Sequence, residues 1–160
     1  MPYVETSIAI AAPRRHIYEL AKDLERYSDF MPDVEYVKVL SRNGNTAVSR
    51  WKTLVEEAPI EWTEEDVFDD VNTRIDYKLI EGDLDRFEGA WTFDEVDGVT
   101  HVKLGVEYDF GVPTLAELIG PILQKKVEEN SLMMLRALKE KCEREAPQTA
   151  ASGQDTSLQA

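Results

Sequence analysis

Cysteine is almost missing from this chain: Cys142 is the only one, which excludes an intramolecular disulfide and any clustered thiolate metal site. Basic residues are also scarce, 18 Lys and Arg against 32 Asp and Glu. The formal charge of -14 therefore argues against a nucleic-acid surface, which needs clustered cations to meet phosphates. No run of 18 apolar residues occurs, and Met1 to Glu5 carry neither a basic start nor an apolar stretch, so no membrane span and no secretory signal is expected. A cytoplasmic location follows as the expectation. The two histidines, His16 and His101, stand alone without an HxxxH or His/Cys pairing, so zinc is not expected. Glycine-rich phosphate loops of the dinucleotide or P-loop kind are absent, and no cofactor is anticipated. There is no internal repeat.

What the chain does have is a long amphipathic stretch near its end. Thr114 to Glu143 would span about 45 Å as one helix at ~1.5 Å per residue. Thr114 with Glu117 makes a capping box, in which side chain and backbone satisfy each other at the helix start. Leu115, Leu118, Ile119, Ile122, Leu123, Met133, Met134, Ala137 and Leu138 recur at three- and four-residue spacing and share one broad apolar face. Lys126 and Asn130 interrupt that face near its centre, so either they are satisfied locally or the face lines a cavity. Pro121, with no N–H to give, predicts a kink or a break into two helices.

Ahead of that helix, Tyr3 to Ala11 alternates and reads as a strand. A short helix follows from Pro13 to about Asp23, and a second helical turn or two carries Tyr27, Phe30 and Met31 up to Pro32. From Val34 to Phe110 the period changes to two, and six strands fit near 34–42, 46–56, 60–69, 73–81, 86–96 and 99–110, joined by turns rich in Gly, Asn, Asp and Pro. Val48, Trp62, Phe68, Ile75, Tyr77, Phe87, Trp91, Val102, Leu104 and Tyr108 are among the residues that give the sheet its apolar side, with Trp51 out of phase with Val48. The acidic run Thr63 to Asp66 reads as a solvated edge. A twisted seven-stranded sheet can bury one face only by curling round something, and the long helix is the element able to fill it. With 42% hydrophobic residues, one α+β domain over 1–146 is expected, followed by a small polar tail, 147–160, read as disordered.

Four stretches carry a family resemblance: Ile17 to Leu20 running into Asp23, Tyr27 and Phe30-Met31-Pro32; Gly82 to Phe93; Tyr108-Asp109-Phe110; and the long final helix. In their order and separation the chain resembles the START-like, or helix-grip, superfamily (SRPBCC), in the branch that groups polyketide cyclase/dehydrase and lipid-transport proteins with coenzyme Q-binding proteins. The resemblance implies a helix-grip fold, a seven-stranded curved antiparallel sheet wrapped around the C-terminal helix with two short helices between strands 1 and 2. It also implies a cavity between sheet and helix for a lipid, a quinone or a polyketide.

Within that frame, Lys126 and Asn130, one helical turn apart, are candidates to hold a ligand carbonyl or hydroxyl. Trp51, Trp62, Tyr77, Phe87, Trp91 and Tyr108 are candidate flat walls, and Ile119, Ile122, Leu123, Met133 and Met134 candidate helix-side walls. Arg50, Glu64 and Asp66 are read as sharing the face of Val48 and Phe68, with Arg50 and Glu64 as polar cavity candidates; the plainer reading is a partly exposed ion pair. Cys142, placed at the helix end between acidic residues, is no nucleophile. The expected function is binding of one small hydrophobic ligand, as carrier or chaperone, without nucleic acid or stable membrane insertion. Two alternatives stand beside it. One is a polyketide aromatase/cyclase or dehydratase using Arg50, Glu64, Tyr77 and Lys126; the other is a protein-interaction inhibitor.

Overall fold

The computed structural model describes residues 2–55, 59–110 and 121–145 with their side chains, and 58, 113–120 and 146–159 as backbone elements only. Strand β1 (Tyr3–Ile10) is followed by helix α1 (Arg14–Lys22), a 3-10 turn over Leu24–Arg26 and the single-turn helix α2 (Tyr27–Phe30). Six strands come next: β2 (Val34–Asn43), β3 (Thr46–Val55), β4 (Ala58–Asp69), β5 (Arg74–Gly82), β6 (Arg86–Val96) and β7 (Val99–Asp109). The last element is helix α3 (Pro113–Gln159). All seven strands form one antiparallel sheet in the order β1-β7-β6-β5-β4-β3-β2, so the α+β helix-grip architecture expected from the sequence is the one observed.

Turn chemistry explains the meander. Asp97 and Gly98 both take positive φ, 54° and 80°, the backbone that a two-residue turn needs to match strand twist, and Val96 pairs directly with Val99 across it. Register irregularities bend the sheet: one lies between Thr63 and Glu64, where Glu81 and Leu79 are the successive β5 partners and Ile80 is passed over. Two more fall in β2. The β3–β4 turn is tighter than expected, because Val55 already faces Ala58, so Pro59 stands within the ladder opposite Leu54 rather than in the loop.

The concave face carries Ile75 and Tyr77 on β5, Trp91 and Phe93 on β6, and Val102, Leu104 and Val106 on β7, all buried. On β3 the parity is the reverse of the one read from Val48: Ala47, Ser49, Trp51 and Thr53 are buried, while Val48 and Arg50 are only half-buried. Placing the indole inside wins, because Trp removes far more apolar surface from water than Val. Trp51 is therefore in phase with its strand, and neither a bulge nor two-sided burial is needed.

One half of the barrel-like interior is solid. Ile10, Ile17, Ala21, Phe93, Val102, Leu135, Leu138 and Cys142 meet there with almost no exposed surface. Cys142 thus sits in the core rather than at a fraying end, and burial, followed by Glu145 and Glu143, pushes its thiol up to about 12. Lys139 and Glu143 tie α3 to the end of β1 through the Ala9 carbonyl and the Ala11 amide. Helix α3 runs as one element through Pro121, so of the kink or break expected there the break into two helices does not occur. The Thr114–Glu117 capping box, Ile119 and the tail from Pro147 lie outside the described side chains.

Candidate functional site

Along the part of α3 before Ser131 the solid core gives way to a cavity. Leu123, Val127 and Met134 face it from the helix, together with Lys126, Asn130 and Ser131. The sheet contributes Trp51, Thr53 and Val55 from β3, Ile60, Trp62 and Glu64 from β4, and Tyr77 from β5. Leu84, Phe87, Trp91, Leu104, Val106 and Phe110 complete the wall. About 90 Å³ is open to the centre of a water-sized molecule, a narrow space beside the roughly 300–1,000 Å³ typical of small-molecule sites.

The aromatic residues form a continuous ladder. Trp51 and Trp62, opposite each other in the β3–β4 register, stack at 5.5 Å with planes 10° apart. Tyr27 meets Trp51 edge-on on one side, and Phe87 tilts against Trp62 on the other at 4.9 Å. Tyr77 continues the row. Its ring crosses β6 at Gly89, where a Cβ would stand 1.9 Å from the Gly105 carbonyl oxygen and 2.8 Å from the Tyr77 hydroxyl. Absence of a side chain at Gly89 is what lets the Tyr77 hydroxyl reach β7 and donate to the Gly105 carbonyl at 2.7 Å.

Beneath the stacked indoles lie two carboxyl groups, Glu64 at 3% and Asp66 at 1% exposure. The acidic run is thus not uniformly solvated: Glu65 is exposed while its two neighbours turn inward. The Trp51 indole N–H donates to Ser49 Oγ at 2.9 Å, the Ser49 hydroxyl donates to Asp66, and the Trp62 indole N–H donates to Glu64 Oε1 at 2.7 Å. Glu64 and Asp66 are also hydrogen-bonded to each other. Burial first, then the neighbouring Asp66, raises Glu64 well above the ordinary carboxylate range; burial raises Asp66 as well, opposed by bonds from Glu64 and Ser49. Two adjacent buried carboxylates cannot both ionise cheaply, so the pair, rather than either residue alone, holds on to a proton.

A second buried acid stands on the helix side. Asp33, 4% exposed at the start of β2, accepts a 2.6 Å bond at Oδ2 from the Asn130 amide, while its Oδ1 has no partner. Burial raises it to about 6 against the lowering effects of its own backbone N–H and Asn130. Asn130 therefore does both things its position allowed: it is held locally and it borders the cavity.

Of the residues singled out in the sequence, Trp51, Trp62, Tyr77, Phe87, Trp91, Leu123, Lys126, Asn130, Met134 and Glu64 are brought together around this cavity. Tyr108 is buried but packs on Phe110 instead. Ile122 and Met133, 55% and 42% exposed, are turned to solvent, because they fall about a quarter turn off the gripped face. Arg50 is on the convex side: its register partner is Thr63, to whose hydroxyl it donates at 3.1 Å, and its guanidinium stands 3.8 Å from Glu61, not Glu64. Ser49 and Thr53 were missed with the β3 parity, although alternation from Trp51 would have found them. Asp33, after Pro32, carried no sequence signal at all. No group of three potential metal ligands exists among the described residues, and no described helix is long and apolar enough to cross a membrane.

The comparisons with known proteins agree with this architecture. No curated protein matches the chain by sequence. Among solved structures, the protein TTHA0849 from Thermus thermophilus is 35% identical with a TM-score of 0.84, over 88% of this chain and 97% of its own. The Zhui aromatase/cyclase from Streptomyces sp. R1128 is 23% identical with a TM-score of 0.82, covering 89% and 94%. A START superfamily protein from Mycobacterium smegmatis is 19% identical with a TM-score of 0.73, covering 89% and 97%. Residues 10–134 match the family model described as polyketide cyclase/dehydrase and lipid transport, and the chain belongs to that family, within the START-like helix-grip superfamily.

Proposed function

We propose that this chain binds one small, mainly apolar ligand between its sheet and α3, as a carrier or chaperone for a molecule of the lipid, quinone or polyketide kind. The observation that carries this reading is the cavity itself: six aromatic rings, those of Trp51, Trp62, Tyr77, Phe87, Trp91 and Phe110, and aliphatic groups surround it, with Thr53 and Glu64 as further polar groups on the sheet and the rest on α3. Burying about 300 Å² of ligand apolar surface at roughly 25 cal/mol/Å² is worth about 7 kcal/mol before association costs, enough for micromolar binding. The family and the fold neighbours support it, and a cytoplasmic location goes with it. Mass spectrometry of the natively purified protein, followed by melting with quinone, lipid and aromatic polyketide additions, tests it. A co-purifying apolar molecule or a rise in melting temperature is expected; no molecule and no shift with any of the three classes overturns it.

A second reading, an aromatase/cyclase or dehydratase, draws support from the family and from Glu64, a carboxyl raised by burial at the cavity wall, where an acid catalyst would be placed. Arg50 leaves the candidate set because it faces outward, and the Tyr77 hydroxyl is committed to Gly105. Glu64 and Lys126 remain. Turnover of a poly-β-ketone thioester by the native chain, lost in Glu64→Gln, would establish this reading; product profiles identical to those without protein would end it.

A further inference from the structure

Several polar groups of the cavity wall are already committed to partners inside the protein. The Tyr77 hydroxyl is given to Gly105, the Trp62 indole to Glu64 and the Trp51 indole to Ser49. Glu64 and Asp66 are hydrogen-bonded to each other and share the proton that their burial retains. These donors of the wall are consumed inside the protein, while Thr53, Lys126 and Ser131 also face the cavity.

Asn130 adds a polar group of fixed orientation to that wall. A carboxylate accepts hydrogen bonds and donates none, so the 2.6 Å contact at Asp33 Oδ2 requires the Asn130 Nδ2 on that side and turns its Oδ1 away. With the nitrogen given to Asp33, that Oδ1 is the part of the amide left to meet a donor at the cavity. Beside it the Asp33 Oδ1 is buried without a partner, a second acceptor in need of a donor.

Resting on the ligand-binding reading above, we propose that Asp33 fixes the amide of Asn130 so that the cavity presents a carbonyl oxygen there, and that the preferred ligand is an apolar ring compound carrying a hydroxyl or N–H donor, a phenol or enol rather than its ether. Asp33 is a positioning residue in this arrangement, acting through Asn130. The other titratable groups on the cavity are Lys126 on α3, which is itself partnered, and Glu64, backed by Asp66, on β4. Glu35, two residues from Asp33, is occupied by Lys52 at 2.8 Å. Protonation of Asp33, whose burial pushes it up to about 6, would remove the obligate acceptor and free the amide to turn.

The test is tryptophan-fluorescence titration of the full chain with 2-naphthol and with 2-methoxynaphthalene, a pair of similar shape that differs in the donor. At pH 7.5 the naphthol is expected to bind roughly 3- to 10-fold more tightly, the worth of one net hydrogen bond. The preference should shrink to under about twofold at pH 5, and to the same level at both pH values in Asp33→Asn, with affinity for the ether changed by less than about twofold. Asn130→Ala should abolish the preference independently of Asp33. Equal binding of the two compounds by the native chain, or a preference retained in both variants, overturns this inference and leaves the ligand-binding reading standing. Binding of neither compound, with no melting shift from the quinone, lipid and polyketide panel, overturns both.

Discussion

Replacing Asp33 by Asn should make the protein more stable at neutral pH, and only there. The rise of this carboxyl from its ordinary 3.8 to about 6 is worth about 3 kcal/mol at ~1.36 kcal/mol per pH unit. Some water reaches the group and its ionised form keeps the Asn130 bond, so about 1–3 kcal/mol is the expected range. The sign follows from which state binds the proton better. The folded chain holds the Asp33 proton more tightly than the unfolded one, so its contribution is fully present below about 3.8 and is lost as pH rises through about 6. Asparagine has nothing to ionise and still offers Asn130 an oxygen, so the variant escapes that loss. Urea unfolding of both proteins between pH 4 and pH 7.5 measures it, with equal m-values confirming that the same surface is exposed. The other carboxyls titrate in both proteins and cancel in the difference. The variant should be equal to or slightly weaker than the native chain at pH 4, and stronger at pH 7.5. A difference that stays constant from pH 4 to pH 7.5 would refute the argument, because it would show that Asp33 does not ionise at a cost in the fold.

The carboxyl pair separates two substitutions at one site: Glu64→Gln keeps a donor for Asp66 and an acceptor for Trp62 and should cost under about 1 kcal/mol, whereas Glu64→Ala leaves both unpaired and should cost about 1–3 kcal/mol in the same unfolding assay. Both native carboxyls are raised, so the native chain should lose stability toward alkaline pH that Glu64→Gln retains. Leu135→Ala, at a fully buried position of the solid half, should cost about 2–5 kcal/mol by urea unfolding. Gly89→Ala sets a methyl against the Gly105 backbone and the Tyr77 hydroxyl and should cost about 1–3 kcal/mol, with the near-ultraviolet tyrosine signal altered as Tyr77 is displaced. Cys142 should react with an aromatic disulfide reagent only after denaturation; rapid native labelling would show that the α3 end is not packed as described.

Much of the framework was legible in the residues. Turn pairs such as Asp97-Gly98 can adopt the tight hairpin geometry, period-two patterning marks the strands, and the polar interruption of α3 by Lys126 and Asn130 left two readings, local satisfaction or a cavity. Alternation on a strand, however, establishes that neighbours face opposite sides without saying which parity goes inside. On β3 the decision fell to Trp51 stacking on Trp62, a partner on another strand, and that choice carried Ser49 and Thr53 inward and Arg50 outward. The same step made Glu64 and Asp66 a buried pair instead of two charges in a solvated run.

Distance along the chain sets the remaining limit. Asn130 and Asp33 are 97 residues apart, and only the closure of the sheet around α3 brings them to 2.6 Å. The sequence by itself determined the element order, the apolar faces and the place on α3 where a plain core helix was interrupted, since these depend on local period and side-chain chemistry. Tertiary structure alone decided which polar groups are buried together, because desolvation and hydrogen-bond pairing belong to neighbours in space. The raised carboxyl pair of Glu64 and Asp66 and the orientation imposed on Asn130 both come from that packing.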